Sequence, residues 1–257
     1  MKHLSTSQLA KAVGVHPNTV RRYEEKGFLP PARRSPSGYR RFTGRHLDCL
    51  RLTRLVFSNL FPGKAIYESG LHMIHVTAGG DLGGALELAY HHLALVQSER
   101  AQAEAAVSLL ERWALGAPAD ATSQALTIGQ AARLLGVSID ILRSWDRNGL
   151  IEIPRDPSNR YRRYGAAELS RLRVIRMLSR AGYSTGAILR MLIQLDRGET
   201  TDLRSALDTP RPDEDVYLAS DRWLTALSEH EQRARQIIAL IEEMIQKEAR
   251  ESTNFRE

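Results

Sequence analysis

The apolar positions near the start of the chain recur at the spacing of one helix face. Leu9 and Val13 lie four residues apart, and Ser5 and Gln8 precede them at the spacing of an N-terminal capping box. Gly14 then supplies a residue that favours the end of a helix. The pattern predicts one short helix that ends near residue 14.

A second helix is predicted directly after the first. Pro17 suits the first helical position, Val20 and Tyr23 share one face, and Gly27 suits the carboxyl-terminal cap. The next stretch, FLPPARRSPSGYRRF, places proline, serine and glycine between short apolar ends, which favours a two-stranded wing over another helix. The segment is therefore interpreted as a winged helix-turn-helix, although helical hairpins of this kind also occur in bundles.

Two longer apolar stripes follow a heptad spacing. One runs through residues 81–115 and is interrupted by Arg100, and the other runs through residues 217–249 and is interrupted by Glu231. Their apolar members are Leu86, Ala89, Leu93, Val96, Ala103, Val107 and Leu110 in the first, and Leu224, Leu227, Ala234, Ile238, Ile241 and Ile245 in the second. Stripes of this kind predict long helices that each need a partner helix.

The N-terminal pattern occurs twice in the chain. A shift of 122 residues aligns Leu4–Arg54 with residues 126–176 without a gap. Among the residues that recur are Gln8, Gly14, Arg21, Gly27, Tyr39, Arg40 and Arg41, which return as Gln130, Gly136, Arg143, Gly149, Tyr161, Arg162 and Arg163. Two copies are too few for a solenoid, so each copy is expected to be a small domain or half of a symmetric unit.

Positive charge is concentrated in the two copies. The chain carries a net charge of +6, but residues 1–80 carry +9 and residues 126–205 carry +6, whereas residues 81–125 carry −4 and residues 206–257 carry −5. Charged runs are often simply solvated faces, yet two basic blocks separated by acidic ones favour two heads that face a polyanion.

The remaining composition narrows the class of protein. Cys49 is the only cysteine, which excludes an intramolecular disulfide, and apolar runs are too short for a signal peptide or a membrane span. We therefore expect a cytoplasmic protein without a membrane partner. No phosphate loop, paired catalytic carboxylates or nucleophile elbow is present, so we expect neither an enzyme nor a cofactor. A metal site is also not expected, and the weak candidates for ligands are His72, His75, His91 and His92.

The repeated motifs resemble those of the MerR family of bacterial transcription regulators. The first copy reads Arg21-Arg22-Tyr23-Glu24, Gly27-Phe28-Leu29 and Gly38-Tyr39-Arg40-Arg41-Phe42, and the second reads Arg143-Ser144-Trp145-Asp146, Gly149-Leu150-Ile151 and Tyr161-Arg162-Arg163-Tyr164. Arg22 and Ser144 stand where the family has an aromatic residue. Arg160 replaces the wing glycine of the second copy, which predicts a differently shaped second wing because glycine tolerates positive φ.

The resemblance implies an architecture. Regulators of this family are homodimers in which one antiparallel pair of long helices joins two heads. We therefore expect a mainly α fold in which two winged helix-turn-helix domains are each followed by a long coiled-coil helix, and the two long helices pair antiparallel as a single-chain pseudo-dimer. The expected boundaries are 1–80 for the first head, 81–115 for the first long helix, 116–125 for the linker, 126–205 for the second head, 206–250 for the second long helix and 251–257 for the tail. A homodimer of double-headed chains is the alternative.

The recognition helices and wings contain the expected DNA contacts. By residue type, we assign base-edge or phosphate contacts to His16, Asn18, Thr19, Arg21 and Arg22 in the first head and to Ser138, Asp140, Arg143 and Arg147 in the second. The wings add Tyr39, Arg40, Arg41, Arg160, Tyr161, Arg162 and Arg163. The resemblance implies phosphate-contacting or head-packing roles for Tyr23, Trp145, Arg40 and Arg162. Because the two sets differ, the two half-sites are expected to differ.

The resemblance also implies a function. Members of the family sit on promoters and distort the DNA so that RNA polymerase holoenzyme engages it, and we expect a sequence-specific double-stranded DNA-binding transcription regulator of this type. An architectural or excisionase-like DNA-binding protein without a promoter role shares every sequence feature and is the alternative. The sequence does not specify an effector, the operator, or a choice between activation and repression.

Overall fold

The protein is mainly helical, and the computed structural model describes residues 3–58, 63–115, 125–210 and 219–253. The first half contains α1 (Thr6–Ala12), α2 (Pro17–Glu25), β1 (Arg33–Arg34), β2 (Arg40–Arg41), α3 (Gly44–Val56), α4 (Lys64–Gly79) and α5 (Leu82–Ala114). The second half contains α6 (Ile128–Leu135), α7 (Ile139–Arg147), α8 (Ala166–Arg180), α9 (Thr185–Asp196), α10 (Leu203–Asp208), a 3₁₀ turn (Ala219–Arg222) and α11 (Trp223–Thr253).

The predicted local signals at the start of the chain are confirmed. The Oγ of Ser5 accepts a hydrogen bond from the backbone N–H of Gln8 at 3.2 Å, and the Gln8 side chain accepts one from the backbone N–H of Ser5 at 2.9 Å, which completes the capping box of α1. α2 begins at Pro17, and Gly27 follows its cap with a φ of +71°. Local hydrogen bonding therefore explains where both helices start and end.

Contacts along the chain divide the protein into two compact units. The first unit comprises Met1–Ser98 and Leu227–Glu257, and the second comprises Glu99–Ala226. The long helices α5 and α11 are therefore each shared between the two units. α5 agrees within one residue at each end with the predicted stripe 81–115.

The core of the first unit includes residues from both ends of the sequence. Leu50 of α3 and Met73 of α4 pack in one cluster with Ile237 and Ile241 of α11. Gln97 donates a hydrogen bond to Glu231 at 3.1 Å, and Tyr90 donates one to Glu242 at 3.3 Å. Because the lower-numbered α5 residue contacts the higher-numbered α11 residue, these parts of α5 and α11 run antiparallel.

Charge pairs also bind α11 to the first head. The buried carboxylate of Asp48 accepts from Lys247 at 3.2 Å and from Arg51 at 3.3 Å, so two cations neutralise it. Arg45 lies 3.5 Å from Glu248. Glu231, which interrupts the apolar stripe, is buried and accepts a hydrogen bond from Arg235 at 2.7 Å, so a polar network satisfies it inside the packed face.

In the second unit, the C-terminal part of α5 packs on helices of the second half. The indole of Trp113 donates to the hydroxyl of Ser170 in α8 at 2.7 Å, and the Tyr183 hydroxyl donates to the carbonyl of Ala103 at 3.3 Å. Burial raises the pKa of Tyr183, so its hydroxyl remains a donor. The indole of Trp223 donates to the carbonyl of Ala181 at 2.7 Å. This hydrogen bond connects the start of α11 to the end of α8.

The second long helix begins later than residue 206. A separate helix, α10, ends at Asp208, and α11 begins at Trp223. Pro210 follows α10 closely, and a proline both lacks the N–H that a continuing helix requires and restricts the residue before it, which explains the break. Residues 116–124 of the predicted linker and residues 254–257 of the predicted tail lie outside the described residues.

Candidate nucleic-acid interface

The amino end of α2 carries a group of exposed polar side chains. His16 is the N-cap, and its Nδ1 accepts a hydrogen bond from the backbone N–H of Asn18 at 3.2 Å. Arg21 donates to the side-chain oxygen of Asn18 at 3.3 Å. These three side chains and that of Arg22 are exposed, and Thr19 is half-buried. The first recognition set is therefore accessible, with Asn18 held by its neighbour.

The corresponding end of α7 differs in its chemistry. Ser138 caps the helix by accepting a hydrogen bond from the backbone N–H of Ile141 at 3.2 Å. Arg143 lies 3.2 Å from Asp140, one turn earlier on the exposed surface, and Arg147 is exposed at the last turn. Each helix thus has an arginine beside this position, and the difference is that Asp140 places a carboxylate where Asn18 has an amide.

The two wings are hairpins with different registers. β1 and β2 pair antiparallel with Arg33 opposite Arg41, whereas the second hairpin has a single bridge that places Arg155 opposite Arg162. The repeat alignment would place Arg155 opposite Arg163, so the second hairpin has slipped by one residue. The expected difference in shape is confirmed.

Arg160 adopts the backbone conformation that glycine would have favoured. Its φ is +64°, and the corresponding Gly38 has a φ of +82°. The backbone N–H of Arg160 donates to the carbonyl of Asp156 at 2.8 Å, whereas that of Gly38 donates to Ser35 at 2.9 Å, so the second turn is one residue longer. The loss of glycine therefore adds strain at Arg160 without removing the positive φ.

The tips of both wings expose an aromatic ring between cations. Tyr39 is 76% exposed and Tyr161 is 74% exposed. Arg41 is exposed on the first wing, and Arg160 and Arg163 are exposed on the second. A planar ring and guanidinium groups at the tip of a hairpin form a surface that suits a phosphate-and-sugar backbone.

Two predicted contact residues instead join wing to helix. Arg40 lies 2.5 Å from the carboxylate of Glu24 in α2, and this carboxylate also accepts from the backbone N–H of Ala32 at 3.1 Å. Arg162 makes the corresponding contact with Asp146 of α7. Both pairs are half-buried, and they hold each wing at a fixed position against its helix.

The two aromatic residues of the motif lie in or near the cores. Trp145 is only 9% exposed, which favours a role in packing the head over a role in phosphate contact. Tyr23 is half-buried, and its ring centre lies 5.5 Å from that of Phe28. Both side chains therefore pack their helix against the rest of its head.

One cleft in the second unit is lined by arginines from α7 and from the second hairpin. It has a volume of about 490 Å³ and lies between the start of α6, α7 and the second hairpin. Its arginines are Arg143, Arg155, Arg160, Arg162 and Arg163, with Asn159 and Tyr161 beside them. Asp156 accepts from Arg163 at 3.0 Å, and hydrogen bonds from Ser158 hold the pKa of Asp156 below its usual value, so the acid stays ionised and braces the wing.

Some functional neighbours were not found from the sequence. Glu24 and Asp146 belong to the repeated motifs, but they were assigned no role from the sequence. Glu24 precedes Arg40 by the same number of residues as Asp146 precedes Arg162. That repeated acid–arginine spacing was the available signal. Ile139 and Ile141, which are exposed in the first turn of α7, were also missed because apolar residues were interpreted only as core.

The four candidate histidines lie in different surroundings. Within the part of the chain that the structure describes, no group of three or more His, Cys, Asp or Glu side chains is arranged to hold a metal ion. His72 and His91 are exposed, and His75 lies edge-on to Phe28 with ring centres 5.3 Å apart. His92 is buried against the hydroxyl of Ser69 at 3.2 Å, and burial lowers its pKa to about 4.

None of the helices in the described ranges has the length and apolarity needed to cross a membrane.

Segments of the chain are similar in sequence to known regulatory proteins. The model of the MerR family regulatory protein matches residues 5–42, and that of the MerR HTH family regulatory protein matches residues 126–195. A mercuric resistance operon regulatory protein of Serratia marcescens is 37% identical over 82 residues, which is 32% of this chain and 56% of that protein. The HTH-type transcriptional regulator CueR of Vibrio cholerae is 45% identical over 49 residues, which is 19% of this chain and 35% of that protein.

These alignments cover only part of each protein. The chain spans about half the length of the mercuric resistance regulators that it matches. No solved structure matches. The two family segments fall on the two copies of the internal repeat, and each contains a helix pair with its arginine-rich hairpin. Two segments of the chain, one in each half, therefore match models of the MerR family of regulatory proteins.

Proposed function

We propose that the protein is a double-stranded DNA-binding transcription regulator with two winged helix-turn-helix heads in one chain. The arginine cleft of the second unit is the observation that supports this most strongly. Five arginines from α7 and the second hairpin line it, three of them also paired with nearby aspartates, and guanidinium forks bind phosphate oxygens well. In such heads, phosphate contacts fix the register of a helix whose side chains read base edges.

The first head offers an equivalent surface. Arg21 and Arg22 are exposed on α2, and Arg33 and Arg41 face each other across the exposed hairpin. The side chains that would read bases differ between heads, with Asn18 in one and Asp140 in the other. Asparagine pairs well with adenine and aspartate accepts from cytosine, so the operator should be asymmetric.

An enzymatic function is disfavoured. The relatives are regulatory proteins by name, and the residues that line the cleft are cations and polar side chains suited to binding an anion. The function therefore rests on binding and on the mechanics of the bound DNA.

A single-chain pseudo-dimer is the arrangement that the packing supports best. The helix that follows the second head, α11, contributes Ile241 and Lys247 to the core and charge pairs of the first head. The helix that follows the first head, α5, contributes Trp113 and the carbonyl of Ala103 to the second unit. Each head is thus completed by the helix that follows the other. Homodimerisation would require a further surface.

Promoter control follows from two connected heads. Heads that grip two half-sites can distort the DNA between them, because the added contacts offset the deformation energy. We propose that this distortion controls RNA polymerase holoenzyme at promoters. An architectural or excisionase-like protein would bind with the same surfaces at recombination or nucleoid sites, and genome-wide occupancy separates the two because a regulator should occupy a few promoter-spaced operators.

The test is selection of binding sites by the full chain. A random duplex library should yield two distinct half-sites at a fixed spacing, and footprinting should show both protected. Light scattering of the free protein should give the mass of one 28.8 kDa chain. Failure to retain duplex DNA at modest ionic strength would contradict DNA binding, and a mass of two chains would contradict the pseudo-dimer.

A further inference from the structure

The first turn of α7 presents two exposed isoleucines where α2 presents other residue types. Ile139 is 37% exposed and Ile141 is 41% exposed. The repeat places Pro17 and Thr19 at the corresponding positions of the first head. Exposing a β-branched aliphatic side chain leaves apolar surface in water, so two of them in one turn indicate a surface that is covered when the protein works.

The surroundings of these isoleucines indicate what covers them. The amino end of a recognition helix is the part that meets base edges. Arg143 lies one turn after Ile139, and the exposed cations Arg147, Arg155, Arg160 and Arg163 belong to the same helix or to the neighbouring wing. Asp140 is the acidic residue between the two isoleucines, and Arg143 lies 3.2 Å from it. Exposed apolar side chains at a helix end, in a head that also carries these exposed cations, complement a polyanion that has apolar groups.

The major groove of DNA has one such apolar group, the 5-methyl of thymine. On the basis of the proposed DNA-binding function, we infer that Ile139 and Ile141 read thymine methyl groups, and that they set the base preference of the second half-site. Asp140, which lies between them in the sequence, pairs with Arg143 through one carboxylate oxygen, and we assign its second oxygen as the acceptor for a cytosine amino group. The second head therefore selects pyrimidine edges by methyl contact and by hydrogen bonding.

Removing only the methyl groups tests this inference. Sites recovered from the random duplex library with the full chain are resynthesised with deoxyuridine in place of thymidine in the second half-site, which changes no hydrogen-bonding group. Wild-type affinity should fall about fourfold for each methyl group that an isoleucine covers. The double variant Ile139→Ser with Ile141→Ser should bind the two duplexes equally.

Leu134 provides the matched control. It is also exposed on the second head, but it lies in α6, outside the recognition helix. Leu134→Ser should retain the full preference for thymidine. Circular dichroism should show that all variants remain folded, since each replaces an exposed side chain.

The outcomes separate this inference from the function on which it rests. If no duplex is retained, the proposed function fails, and the inference fails with it. If the chain binds a selected site with the same affinity for thymidine and deoxyuridine, the inference alone is overturned. A serine double variant that keeps wild-type methyl dependence also overturns it, as does one whose only change is loss of self-association in light scattering, which would identify a protein-docking surface.

Discussion

The guanidinium of Arg162 donates two hydrogen bonds to one carboxylate oxygen of Asp146, at 2.8 Å from Nε and 2.5 Å from Nη2. This contact joins the second wing to the helix that precedes it. Because both side chains are half-buried, Asp146→Asn should leave the guanidinium with a weaker acceptor and lower the free energy of unfolding by about 2 kcal/mol. Denaturant titration measures the change, and Asp140→Asn on the exposed face should change stability little. Equal effects would show that burial of the first pair is unimportant.

Neighbouring arginines of the first wing should affect DNA binding differently. Arg41 is exposed, so Arg41→Ala should remove a phosphate contact and reduce the salt slope of binding by about 0.9. Arg40 is paired with Glu24, so Arg40→Ala should weaken binding through a displaced wing while the slope stays the same. The slope is measured by titrating a fluorescent duplex at several salt concentrations.

Arg112→Ala is the control for this pair of variants. It removes the same charge from an exposed position on α5, a helix that is part of neither wing. Its salt slope should match the wild type. A reduced slope in all three variants would mean that net charge, and not the position of Arg41, determines the dependence.

The strained turn of the second wing predicts a stabilising substitution. Arg160→Gly should relieve the positive φ and raise the free energy of unfolding by about 1 kcal/mol, since part of the relief is offset by the greater freedom of glycine in the unfolded chain. Thermal unfolding measures it. Gly38→Ala makes the opposite change, because it adds a side chain at a positive φ. No other atom lies within 4 Å of the new Cβ, so the backbone strain alone should destabilise the protein by a similar amount. The same sign for both would contradict the φ argument.

Buried His92 predicts a loss of stability in acid. Burial lowers its pKa from 6.5 to about 4, so the unfolded chain binds a proton between these values that the folded protein does not. This contribution is complete above pH 6.5 and is lost as the pH falls towards 4, by about 3 kcal/mol.

Comparison with a variant isolates this histidine from the carboxylates. His92→Gln should flatten the dependence of the free energy of unfolding between pH 6.5 and 4.5, whereas His72→Gln, at an exposed position of α4, should leave the wild-type curve. An unchanged curve for His92→Gln would show that this imidazole is protonated in the folded protein.

The helix starts and the repeat could be predicted because they depend on neighbouring residues. Ser5, Gln8 and Pro17 determine local hydrogen bonds, and these are present as expected. The partners of Arg40 and Arg162 were missed because each pair joins segments sixteen residues apart, and only the recurrence of that spacing in both copies indicated them. The start of α11 was missed because a heptad stripe indicates a face and does not locate the residue at which a helix begins.

The candidate site could also be predicted only in part. Residue types and the duplicated motif located the exposed side chains of α2, α7 and both hairpins. The exposure of Ile139 was not predictable, because an aliphatic residue in a helix pattern suggests burial, and only the folded helix shows which side reaches water.

The sharing of α11 with the first head affects how the protein emerges from the ribosome. Ile237, Ile241 and Met244 belong to a core whose members outside α11 all lie between Leu4 and Leu93. The N-terminal domain therefore cannot complete its interior until α11 has been synthesised, and until then it keeps apolar surface exposed to water.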